Sequence, residues 1–109
     1  MDKSEILQGT LDLLILKVVA LGPLHGYGIS QRLRQISKEV LLVQQGSLYP
    51  ALHRLEKRGL ISGSWVESGN GRQARFYKIT AQGRKQLAAE ESNWQRLSQA
   101  IGLVLRTAE

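Results

Sequence analysis

The sequence predicts a mainly α fold with one small β-hairpin, an α+β arrangement. Two observations carry this: apolar residues recur at helical spacing in four separate stretches, and an Asn-Gly turn divides two β-prone segments. At 109 residues and 42% hydrophobic content, the chain has the size of one small domain with a single modest core.

In the first stretch, Leu7, Leu11, Leu14, Val18 and Leu21 follow one another at steps of four and three, so a helix is expected to end at Gly22-Pro23. After a turn at Leu24-His25-Gly26, the residues Ile29, Leu33 and Ile36 repeat the pattern in a shorter second helix. His25 is expected to pack or cap beside the Gly26 turn. The run Val40-Leu41-Leu42-Val43 is β-branched and too short for a helix, which suggests a strand stub.

Leu48, Leu52 and Leu55 define a third helix. Pro50 places its start nearby, because proline is tolerated where no intrahelical amide donor is needed, and Ser47 is then the expected N-cap. Gly59 should end this helix as a left-handed residue after Lys57 and Arg58, whose charges suit the negative end of the helix dipole.

Leu60–Glu67 and Arg75–Thr80 flank Ser68-Gly69-Asn70-Gly71, the hairpin signal. Thr80 is expected to cap a last helix, in which Leu87, Trp94, Leu97, Ile101, Val104 and Leu105 fall on one stripe. This order describes a winged helix-turn-helix over residues 1–80, with a long C-terminal helix over 81–109 added to it.

The charge is concentrated in the middle of the chain. Fifteen Lys and Arg stand against nine Asp and Glu, a formal +6, and residues 32–85 alone carry eleven basic and three acidic side chains. The flanks each sum to −1. A polyanionic partner is the natural inference, although a merely solvated basic surface would have the same composition.

Cysteine is absent, which excludes disulfides and thiolate chemistry and makes a cytoplasmic location the expectation. The longest apolar stretch, Leu11 to Leu24, is interrupted by Asp12 and Lys17 and falls short of the roughly 20 residues a bilayer span needs, so no membrane partner is expected. The acidic residues are scattered, and His25 and His53 have no partner at ligand spacing. Neither an enzyme nor a metal site is therefore expected, and no cofactor.

An α-helix fits the major groove when one face anchors it and the other is polar, basic or small. In the third helix the leucines would anchor, leaving Ser47, Tyr49, Pro50, His53, Arg54 and Lys57 for double-stranded DNA, with Arg54 and His53 at base edges. Tyr49 could equally be an interior ring with a surface hydroxyl, and His53 simply solvated. Arg72 and Arg75 on the flexible tip suit phosphate or the minor groove, or belong to an ordinary solvated turn.

The runs Leu24-His25-Gly26-Tyr27-Gly28-Ile29 and Gly46 through Ile61, together with Arg75 through Gly83, closely resemble the PadR family of bacterial transcriptional regulators. The resemblance covers about residues 7–85 in register, and the single C-terminal helix resembles the family's short branch. It implies a dimeric repressor that binds an inverted-repeat promoter operator and is released by a small molecule or stress signal. It carries DNA contacts over to Ser47, Tyr49, His53, Arg54, Arg72 and Arg75.

The stripe of Trp94, Leu97, Ile101 and Val104 needs a covering surface. A second subunit, with Leu11, Leu14 and Val18 as an apolar counterpart, would supply it and set two reader helices roughly 34–36 Å apart. Folding back onto its own domain is the alternative. Trp94 also resembles the tryptophan of multidrug-sensing members, where paired indoles sandwich planar aromatic compounds. That likeness implies a planar aromatic effector, against the plainer role of a dimer-core anchor. The remaining alternative for the whole chain is a winged-helix protein-interaction module without specific DNA binding.

Overall fold

The computed structural model describes residues 8–67 and 69–108. Its elements are α1 (Gln8–Leu21), β1 (Leu24–His25), α2 (Gly26–Ile36), α3 (Gln45–Lys57), β2 (Ile61–Glu67), β3 (Gln73–Ile79) and α4 (Ala81–Leu105). The mainly α architecture with a small hairpin is the one the sequence predicts. Leu7 and Ser68, which the expected first helix and turn included, lie outside the described residues.

The core is built around α1, which touches α2, α3, β3 and α4. Ile15 and Leu16 of α1 meet Ile29 of α2, Leu48, Leu52 and Leu55 of α3, and Ile61 of β2, all fully buried. A helix enclosed on several sides buries more than one stripe. Hence Leu11, Ile15, Leu16, Val18 and Val19 are all interior, whereas Leu21, at the end of the predicted period, is exposed. Ile36 of α2 is exposed as well, so Ile29 and Leu33 anchor that helix.

Two expectations fail in the strands. Leu24-His25, read as a turn, is a short strand pairing antiparallel with β3 through Leu24–Tyr77 and His25–Phe76, so the sheet has the order β1-β3-β2. Val40–Val43 is irregular backbone instead of a strand. β1 takes the free edge of β3, and the chain before Val40 is turned by two residues with positive φ, Lys38 at 54° and Glu39 at 67°.

Those two residues close α2 in a Schellman turn: the Lys38 and Glu39 amides donate to the carbonyls of Gln35 (3.1 Å) and Arg34 (2.7 Å). A side chain at such a φ is disfavoured, and the Arg34–Glu39 ion pair at 2.9 Å helps to hold the turn. α3 ends in the same motif with the expected glycine. Gly59, at φ 76°, and Leu60 donate to the carbonyls of Glu56 and Leu55, each at 3.0 Å.

Two of the three N-termini for which the sequence suggested a cap, those of α2 and α4, are capped by side chains. His25 Nδ1 accepts from the Gly28 amide at 2.8 Å, and the ring is tilted against Phe76 at 5.3 Å. Thr80 Oγ1 accepts from the Gly83 amide at 2.9 Å, and its hydroxyl lies 2.7 Å from the Gly59 carbonyl.

Candidate nucleic-acid interface

α3 starts three residues earlier than the Ser47 cap inferred from its proline. Gln44, not Ser47, is the N-cap residue; its carbonyl accepts the Ser47 and Leu48 amides at 3.0 and 2.9 Å, and its side chain makes no capping bond. Pro50 therefore lies inside the helix and deprives the Gly46 carbonyl of its usual donor. Both residues are exposed, so water can satisfy that carbonyl.

The two faces of α3 separate cleanly. Leu48, Ala51, Leu52 and Leu55 are buried, while Ser47, Tyr49, Pro50, His53 and Lys57 are exposed. Tyr49, His53 and Lys57 follow one another at one-turn spacing, with Ser47 and Pro50 beside them. Tyr49 is about half exposed, and its hydroxyl end packs so close to Gly26 that a Cβ there would stand 2.9 Å from the hydroxyl oxygen. Beside this face, α2 and the residues leading into α3 bound an open groove of about 820 Å³, rimmed by Tyr27, Gln31, Arg34, Gln44 and Gln45. Sequence periodicity gave no reason to select those residues.

Arg54 is placed differently from its expected position at a base edge. Its Nη2 donates to Asp12 Oδ1 of α1 at 3.0 Å, which ties the reader helix to the central helix. Asp12, at 8% exposure, is the one charged side chain buried among the described residues. Arg54 Nε is also buried and lacks a hydrogen-bond partner.

Burial pushes the Asp12 carboxyl above the ordinary carboxylate value. Arg54 opposes this by its hydrogen bond and charge, Arg58 opposes it by charge, and Glu90 adds to it. A carboxyl that holds its proton more tightly when folded favours the folded state in acid. That contribution is complete below the unfolded value and is lost as pH rises through the folded one. Relative to Asp12→Asn, the wild-type chain should therefore lose unfolding free energy as pH climbs through the interval just above the ordinary carboxylate value. Urea titrations of both proteins across that interval check it, and a gap moving in favour of the wild type would mean that the Arg54 attraction outweighs burial.

Arg72 is exposed at the hairpin tip, next to Gly71 at φ 74°. Arg75 is instead drawn back along β3, where its Nη2 donates to Glu56 Oε2 of α3 at 2.5 Å. The β2–β3 register, with Trp65 opposite Arg75 and Gly63 opposite Tyr77, makes this hairpin the wing beside α3.

The residues expected at a dimer interface fall into two groups. Leu11 and Val18 are interior to their own subunit and Leu14 is partly buried, so the first two cannot offer a surface to another chain. Trp94, Leu97, Ile101 and Val104 are exposed, the first three at 46–50%. α4 packs on α1 near its start, through buried Leu87 and the Lys17–Glu91 pair at 3.7 Å, and from Ser92 through Ile101 every residue is exposed.

Three packed helices, an outward polar face on the third and a two-stranded wing define a winged helix-turn-helix protein, here carrying a long C-terminal helix. The Transcriptional regulator PadR-like family matches residues 15–89, and the chain belongs to that family, as a regulator and not an enzyme. It is 33% identical over 97 residues to Transcriptional regulator Rv3488 of Mycobacterium tuberculosis, covering 89% of this chain and 87% of that one. A PadR-like transcriptional regulator from Bacillus cereus superposes with a TM-score of 0.80 at 31% identity, over 95% of this chain and 99% of that one. A PadR-like transcription factor from Bacteroides fragilis gives 0.75 at 32% identity, over 89% and 91%. Among the described residues no helix is long and apolar enough to cross a membrane, and no group of three metal-ligating side chains occurs.

Proposed function

We propose that the chain binds an inverted-repeat promoter operator as a homodimer and represses transcription there. Ser47, Tyr49, Pro50, His53 and Lys57 of α3 enter the major groove, and Arg72 of the wing lies on the sugar-phosphate backbone. Residues 1–80 form the DNA-binding unit, and residues 81–109, which include α4, join the subunits through Trp94, Leu97, Ile101 and Val104. A planar aromatic effector stacks at Trp94 in the dimer centre.

The observation that carries the reading is the division of α3: every leucine on it is buried, while its exposed side collects a tyrosine, a histidine and a lysine on successive turns. The basic middle of the chain supports it, since this helix and the wing both fall within residues 32–85.

The test is the salt dependence of binding to genomic fragments selected by the protein itself. Log K should fall linearly with log salt, by about 0.9 for each phosphate neutralised. Arg72→Ala should weaken all duplexes alike and lower that slope by about 1, whereas His53→Ala should change preference at one position of each half-site by about 1–3 kcal/mol. A flat salt response on selected and random duplexes would instead assign a winged-helix module that binds protein.

A further inference from the structure

We infer that Arg75 is a positioning residue for DNA binding and not a DNA ligand: seated over Gly63 and bonded to Glu56, it fixes the wing against the reader helix and neutralises that helix's single carboxylate. The inference rests on the proposed DNA-binding role and assigns a part within it.

The seat is defined on three sides. Directly opposed residues of an antiparallel pair, and residues two apart on a strand, share a face, so Gly63, Trp65, Arg75 and Tyr77 lie together. The guanidinium carbon is 5.4 Å from the centre of the Trp65 ring and 5.9 Å from that of Tyr77. Between them the floor is bare backbone: a Cβ at residue 63 would stand 2.8 Å from Nε and 2.9 Å from Cζ and Nη2. No other residue type leaves that space.

Glu56 closes the fourth side from α3. Both partners keep about a third of their side-chain surface exposed (31% each), so the pair is partly withdrawn from water and screened less than a surface pair. A guanidinium whose carbon lies near two rings and whose Nη2 is bonded to a carboxylate is already engaged within the fold. Arg72 is three residues nearer the turn.

The charge argument points the same way. Glu56 is the only acidic residue of α3 and lines one groove with Tyr49, His53 and Lys57, the side chains proposed to face the duplex. Left unpaired, its carboxylate would repel phosphate. Arg75 thus contributes by cancelling a repulsion as well as by holding the wing at its angle.

A double-mutant cycle separates positioning from contact, using a mixed-sequence duplex of about 30 base pairs titrated across a series of salt concentrations as the probe. Arg75→Gln should weaken binding about tenfold with the salt slope unchanged. The double variant Arg75→Gln/Glu56→Gln should return to within about threefold of wild type, because the exposed carboxylate is gone. In the free protein, the Trp65 indole N–H resonance should move in Arg75→Gln and in Gly63→Ala alike. A slope lowered by about 0.9 in Arg75→Gln, with no recovery in the double variant, would make Arg75 a phosphate ligand and overturn the inference. An unmoved Trp65 resonance would overturn the seat itself. Absence of salt-dependent binding by the wild-type protein would be a different failure, that of the DNA-binding role.

Discussion

Gly83→Ala should destabilise the chain by about 3 kcal/mol or more, although alanine is ordinarily the better helix former by about 1 kcal/mol. Gly83 is the third residue of α4 and is buried. A Cβ there would stand 2.0 Å from the Leu60 carbonyl oxygen and 2.7 Å from Ile79 Cγ1. Such an overlap cannot be relieved by a rotamer change, because the first of these atoms is backbone.

Nor can that carbonyl move alone. It accepts the Thr80 amide at 3.1 Å and lies 3.0 Å from Thr80 Oγ1, the same hydroxyl that caps the Gly83 amide. The junction of α3, β2 and α4 is thus one hydrogen-bonded knot, and the added methyl must open it or tilt α4 away from α1. Urea denaturation read as a change in midpoint at constant m measures the loss. A variant as stable as the parent would mean that the knot has slack the geometry does not show.

What could be read from the sequence was local. Leu48, Leu52 and Leu55 with Gly59 define α3 and its end, because apolar period and a left-handed glycine are properties of neighbouring residues. Asn70-Gly71, the His25 cap and the Thr80 cap are legible for the same reason. Ser47 is not the N-cap, although Pro50 points to a start there, because exposure at Gly46 lets the helix run through the proline.

What could not be read depends on partners distant in sequence. Arg54 meets Asp12 across 42 positions, and Arg75 meets Glu56 across 19, so two arginines that look free along the chain are engaged in the fold. The two-residue strand β1 has no periodicity to detect, while Val40–Val43 has strand composition but lies outside the sheet. The apolar stripes of α1 and α4 look alike on paper. Only the packing shows that Leu11 and Val18 are covered within the subunit and that Leu97 and Ile101 are not.

That asymmetry fixes the second large effect: Ile101→Asp should weaken the dimer by about 3 kcal/mol, on the order of a hundredfold in Kd, while leaving the fold of each subunit intact. Ile101 sits between Leu97 and Val104 in the exposed stretch of α4, so a carboxylate there loses no contact to the core of its own chain. In an assembly that buries the stripe, the same carboxylate is stripped of water with no cation on the stripe to meet it. Sedimentation equilibrium should show a dimer for the wild-type chain and mainly single chains for the variant, at matching circular dichroism. Operator affinity should fall with it by about 10²–10⁴-fold, because two reader helices on separate chains lose the effective concentration that joins them. Quenching of Trp94 fluorescence by a planar cationic dye should disappear together with the dimer if the dye lies between paired indoles. A variant that remains dimeric at micromolar concentration would move the interface away from α4, and with it the spacing of the reader helices.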